Sequence, residues 1–124
     1  MSRFDEKTDV VTLQGRKYIL FKGLVKLAQD QGLCGMKTEI IQFPSEENNH
    51  MAIVAATARF RRNDEVEEYT DIGDAAPYNV GRNIKPHLLR MASTRAMARA
   101  LRIAVGSDYT AFEELNADDR GYIS

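Results

Sequence analysis

Residues 91–106, Met91-Ala-Ser-Thr-Arg-Ala-Met-Ala-Arg-Ala-Leu-Arg-Ile-Ala-Val-Gly106, carry apolar side chains at helical spacing with arginines between them. At about 100° per residue, Leu89, Ala92, Ala96, Ala100 and Ile103 form one stripe, widened by Met97 and Ala104. Asn83 is placed to cap this helix, Pro86 suits a first turn that needs no amide partner, and Gly106 is placed to end it. The spacing therefore predicts a long helix over residues 84–105. Its alanines allow close approach to a sheet. Arg95, Arg99 and Arg102 fall within about 60° of one another on a neighbouring edge of the helix.

Working outward, the preceding residues read as strands. Residues 50–61 alternate, with Ala52, Val54, Ala56, Ala58 and Phe60 on one face and Met51, Ile53, Thr57 and Arg59 on the other. A strand over residues 36–43 is closed by Pro44, and residues 45–49 form a polar loop. Residues 62–64 make a tight turn into a return strand over 65–72, with Val66, Thr70 and Ile72 on one side. Pro77 and Asn79 mark residues 73–81 as a loop. Earlier still, residues 10–20 predict two short strand pieces around a turn at Gly15-Arg16. Phe21, Leu24, Val25 and Ala28 have helical spacing that Gly32 stops; Gly23 weakens that helix by about 1 kcal/mol relative to alanine. Thr110-Ala111-Phe112-Glu113 has the form of a capping box for a short final helix. The order is hairpin or strand, helix, three strands, long helix. This predicts an α+β fold, an antiparallel sheet with helices packed on one face. The 124 residues suit a single domain, with residues 1–9 and 116–124 loosely held.

Charge is unevenly spread. The net charge is −1 and the pI about 6.1, yet no acid occurs between Asp74 and Asp108. That segment holds Arg82, Lys85, Arg90, Arg95, Arg99 and Arg102, six of the 17 lysines and arginines, so the local field is cationic. Segregated cations repel one another unless a polyanion neutralises them. Arginine forks match phosphate geometry, and three along one helix edge suit consecutive phosphates of a strand. The competing account pairs these arginines with Glu65, Glu67 and Glu68 as a solvated ion-pair face; the absence of acids from the helix itself removes the i,i+4 partners such a face would use. A single cysteine, Cys34, excludes an internal disulfide and a cysteine-rich zinc site. With no long apolar run and a charged amino-terminal segment, a reduced, cytoplasmic protein is expected.

The segment 91–106 resembles the signature helix of single-strand annealing proteins of the Rad-fifty-two superfamily, which include phage Sak-type and bacterial DdrA-like members. Lys17-Tyr18-Ile19 leading into Gly23-Leu-Val-Lys-Leu-Ala28 is similar to that family's strand and following helix, and Tyr69-Thr70-Asp71-Ile72-Gly73 to the close of its third strand. The resemblance covers roughly residues 17–106. It implies a single-stranded-DNA-binding and annealing protein acting in recombination or repair, without catalysis or cofactor, in subunits arranged as a ring or arc. Arg99 and Arg102 match family cations of the inner strand-binding site, and Tyr18 matches an aromatic near the groove. One family cation, just before the Arg99 position, is Ala98 here, so Arg95, one turn earlier, is the candidate substitute. Lys17 and Arg16 complete the candidate DNA-binding set. Since a small subunit neutralises only a few phosphates, several subunits in line are expected, and recombination or replication proteins are possible further partners.

Two other functions fit parts of the chain. Asp71 and Asp74, flanking Gly73, suggest a Mg²⁺ site of a metal-dependent nuclease with Lys85 as electrostatic helper. The order helix, three strands, helix is also that of double-stranded RNA-binding domains. Arg59 and Arg61 either extend the cationic track or pair across the sheet with Glu67 or Glu39. His50 and His87 lack metal-ligand spacing, and Cys34 reads as a small packed residue.

Overall fold

A computed structural model describes residues 4–80, 87–106 and 110–112. A single helical turn, α1 (Glu6–Asp9), leads into β1 (Val10–Leu13) and β2 (Arg16–Ile19), then α2 (Phe21–Asp30). Three longer strands follow, β3 (Leu33–Gln42), β4 (Ala52–Arg62) and β5 (Glu65–Ala75), then α3 (Leu88–Val105) and a two-residue strand, β6 (Thr110–Ala111). The fold is α+β. β3, β4 and β5 form an antiparallel sheet in that order, while β2 pairs antiparallel with β1 and parallel with β6 in a second, smaller sheet. Among the described residues no helix is long and apolar enough to cross a membrane.

Local chemistry accounts for the connections. Gln14 and Gly15 both have positive φ, as do Asn63 and Asp64, so the β1–β2 and β4–β5 pairs each close through a two-residue turn whose twist matches its strands. Gly106 ends α3 in the left-handed region at φ 67°, its amide donating to the Arg102 carbonyl at 3.0 Å. The strand expected from residue 50 begins at Ala52, because Asn49 and His50 occupy left-handed turn positions. The return strand runs past residue 72 to Ala75, which brings Gly73 into the sheet. Thr110 and Ala111, expected to open a helix, instead pair with Tyr18 and Ile19. The proposed caps and first turn of α3 at residues 83–86, and the tail beyond residue 112, lie outside the described residues.

Ala52, Val54, Ala56, Ala58 and Phe60 all face inward, as their alternation requires. They are covered by α3, whose own small residues make the contact close. The tightest point is Gly73. A Cβ there would collide with the Ala96 amide and the Ala92 carbonyl and stand 2.9 Å from Ala96 Cα. Around it lie Ala52, Val54, Ala56, Ala75, Val80, Met91, Ala92 and Ala96. A second cluster joins Ile19, Leu24, Ala28, Phe60, Ala98, Leu101 and Ala111, where α2 and the small sheet meet the other side of α3. Two packed sides leave α3 little free surface. Ile103, expected in the buried stripe, is 57% exposed, while Ala98 and Leu101 are fully buried.

Residues 5–9, read as a loose lead-in, are tied down by Asp9, which is fully buried. Its Oδ2 accepts from the Asp5 amide at 2.9 Å, and Lys26 Nζ donates to both carboxylate oxygens at 3.1 and 3.2 Å. Gly23 lies so close that an added Cβ would sit 2.5 Å from Asp9 Cβ, which explains a glycine inside α2. The Asp5 amide holds the Asp9 carboxyl below the ordinary aspartate value of 3.8, against the opposing effect of burial, with Lys26 and Lys22 adding to the lowering. The folded protein therefore binds fewer protons here than the unfolded chain. The resulting stabilisation is full above the unfolded value and is lost as pH falls through the folded one.

Gly73→Ala is expected to lower stability by about 2–3 kcal/mol through overpacking against helix backbone. Gly15→Ala, at φ 79° with open space around it, costs about 1 kcal/mol through backbone strain alone. Urea denaturation of both variants checks the order. Asp9→Asn is expected to show its largest stability deficit near neutral pH, with the gap to the parent closing below about pH 4, measured by urea melts across that range.

Candidate functional site

α3 runs along β5, an edge strand of its sheet, and its arginines reach across to that edge. Arg95 is 3% exposed. Its Nη1 donates to the Asp74 carbonyl at 2.9 Å and to Asn79 Oδ1 at 3.0 Å, and its Nη2 donates to the Asn79 carbonyl at 2.8 Å. It fastens the helix to the corner where β5 enters the Pro77–Asn79 turn. One helical turn on, Arg99 Nη1 donates to the Ile72 carbonyl at 2.9 Å and lies 3.4 Å from Asp74 Oδ1. Ile72 and Asp74 are two residues apart on one edge, so their carbonyls point the same way. The Ile72 amide is also taken, donating to Asp71 Oδ1 at 2.7 Å. The arginine spacing of the helix thus matches the carbonyl spacing of the edge strand.

The cationic ridge expected from the sequence is corrected accordingly. Arg95 is a buried structural peg and not part of an exposed ridge, and Ala98 is itself fully buried in the core. Arg99 is shared between the strand edge and the surface. Arg102 differs: it is partly exposed, and its Nε is buried without a hydrogen-bond partner among the described residues. Arg99 and Arg102, with Asp71 and Ile103, line an open depression of about 230 Å³ beside β5. Two guanidinium groups, one carboxylate and an aliphatic wall meet there. The arrangement suits an anion that takes donors from both arginines while an apolar group rests on Ile103.

Tyr18, Lys17 and Arg16 stand elsewhere, on β2 in the small sheet. Ile19 enters the core beside Leu101, so its neighbour Tyr18 points to the opposite face, across from Val11. Lys17 pairs with Glu6, both about half exposed. Arg16 is exposed at the hairpin turn. The structure brings together Arg99 and Arg102 but not the β2 residues with them. Lys85 and Arg82 lie outside the described residues.

The acids also have identifiable tasks. Asp71 and Asp74 are three residues apart in a strand and so face opposite sides of β5. Asp74 serves Arg99 through Oδ1 and accepts from Asn79 Nδ2 at 3.3 Å through Oδ2. Among the described residues no group of three or more His, Cys, Asp or Glu converges as a metal site would require. Arg59 pairs with its cross-strand neighbour Glu68 at 3.1 Å, rather than with Glu67 or Glu39, and Arg61 is exposed. Cys34 is exposed on an irregularity of β3 rather than packed.

Sequence reasoning missed Arg62. Its guanidinium lies 4.5 Å from the Phe60 ring centroid, donates through Nε to the Gln31 carbonyl at 3.0 Å, and through Nη2 to the Ala104 carbonyl at 2.9 Å. It caps the C-terminal ends of both α2 and α3, where carbonyls lack helical partners and the helix dipoles favour a cation. The alternation of β4 separates it from neighbouring Arg61, since Arg62 continues the inward set of Ala58 and Phe60, but the strand was expected to end at residue 61. Comparison with protein-family models yields no match, and comparison with curated proteins yields none either.

Arg95→Met is expected to destabilise the fold by about 2–4 kcal/mol, because it leaves the Asp74 and Asn79 carbonyls unpaired in a buried corner. Arg102→Met should stay within about 0.5 kcal/mol of the parent. Thermal denaturation of the two variants tests the division between structural and available arginines.

Proposed function

We propose that the chain binds single-stranded DNA by its phosphates and promotes annealing of complementary strands, acting as a homo-oligomer in recombination or repair. The observation that carries this reading is the convergence of Arg102, which is partly exposed, with Arg99 in an open depression at the edge of a rigidly held helix. Backbone contacts leave base edges exposed, as annealing requires. The likeness of residues 17–106 to single-strand annealing proteins supports the same assignment. Asp71 and Asp74 partly neutralise the two arginines, so a single subunit grips weakly, and useful affinity comes from several subunits along one strand.

Oligo-dT binding by fluorescence anisotropy across a salt series, paired with an annealing assay on complementary oligonucleotides, tests the proposal. Arg102→Ala is expected to weaken oligo-dT binding several-fold and flatten the logarithmic salt slope by about 0.7 for each phosphate no longer neutralised, with the melting temperature nearly unchanged. Binding unaffected by this variant and by Arg99→Ala rejects the depression as the site. Preference for an A-form duplex over oligo-dT favours the double-stranded RNA-binding alternative, which shares the order α2, β3, β4, β5, α3. Mg²⁺-dependent cleavage abolished by Asp71→Asn favours the nuclease.

A further inference from the structure

We infer that the outer edge of β3 is the seam of a two-fold dimer, in which a second copy of this chain adds its own β3 antiparallel to the first. The two edges of the larger sheet are treated differently. β5 is occupied along its edge at Ile72 and Asp74 by arginines of α3. β3 has no strand on its outer side among the described residues. Its Ile40 and Ile41, and Phe43 just beyond, are 47%, 56% and 64% exposed. Unpaired backbone groups beside exposed apolar side chains are a template for strand addition.

The occupant follows from charge and register. Irregularities at Cys34 and Ile41 restrict regular pairing of β3 to residues 35–40, and that run contains Lys37-Thr38-Glu39. With Thr38 opposite Thr38 of a second copy, Lys37 of each chain faces Glu39 of the other. Met36 then faces Ile40. Opposite charges meet twice on the outer face and apolar side chains meet twice on the inner face, where Ile40 is otherwise half exposed. A slip of two residues, which preserves the faces, sets Lys37 against Lys37 or Glu39 against Glu39. The strand is thus complementary to itself in one register. The result is a continuous six-stranded sheet with the α3–β5 depressions at its two far edges. This interface stands independently of any nucleic-acid binding.

Light-scattering mass across a concentration series, on the full chain, tests it. The parent is expected to dimerise. Lys37→Glu or Glu39→Lys alone is expected to raise the dimer dissociation constant about tenfold, since each sets like charges opposite at both symmetry-related positions. The double variant Lys37→Glu/Glu39→Lys restores the parental value. In a Cys34→Ser background, Thr38→Cys is expected to form a disulfide-linked dimer under mild oxidant, because directly opposed antiparallel residues have Cα atoms about 4.5–5.5 Å apart. Lys37→Cys in the same background should not. A parent that stays monomeric without the Thr38→Cys cross-link overturns the inference. So does a double variant no better than the single ones, or a larger assembly whose mass is indifferent to the single reversals.

Discussion

The close approach of α3 to β5 at Gly73 is the constraint on which the rest of the molecule depends. No side chain stands between the helix backbone at Ala92 and Ala96 and the strand at that point. Packing at backbone distance brings the arginines of α3 within reach of strand carbonyls. Arg95 and Arg99 are one turn apart, about 5.4–6 Å along a helix axis, and Asp74 and Ile72 are two residues apart, about 6.6 Å along a strand. The two periods are near enough for consecutive arginines to serve consecutive carbonyls. Two acceptors of that edge, the Ile72 and Asp74 carbonyls, are taken by the protein's own helix.

This arrangement changes how the charge pattern is understood. An acid-free run of arginines suggests a surface waiting for a polyanion. Here Arg95 is consumed by the fold, Arg99 is divided, and Arg102 stands at the mouth of a depression. Carboxylates that help the fold, Asp71 on the Ile72 amide and Asp74 on Arg99, sit beside the remaining cations and moderate their field. At the opposite end Arg62 repeats the theme by holding the C-termini of both α2 and α3. Structural arginines and arginines open to a ligand share one helix, and only their hydrogen-bond partners distinguish them.

Much of the architecture was legible from local patterns. The alternation over residues 52–60 marked the inner face of β4 because a strand facing a core must bury every second residue. The glycine and polar turns between β1 and β2, and between β4 and β5, were readable because positive φ has few suitable residues. What misled was the helix. A single apolar stripe assumes burial on one side, whereas α3 is covered on two, so Ala98 and Leu101 were drawn inward and Ile103 was left outside. Arg95 was misread for the same reason. Charged residues are seldom buried unless paired, and its partners are backbone carbonyls that no side-chain pattern announces. Asp9 escaped notice because its side-chain partner Lys26 lies 17 residues away on α2, a pairing that no local pattern announces.

Sequence alone determined the main elements from β1 to α3 and their order, since periodicity, turn residues and the Gly106 stop act over a few neighbouring residues. It also determined that cations would gather near the end of the chain. Only the tertiary structure decided which cations the fold consumes and which strand carbonyls they take. Those outcomes depend on distances between residues far apart in the chain. A guanidinium has the same formula whether it faces water or a buried carbonyl, and packing alone selects between them.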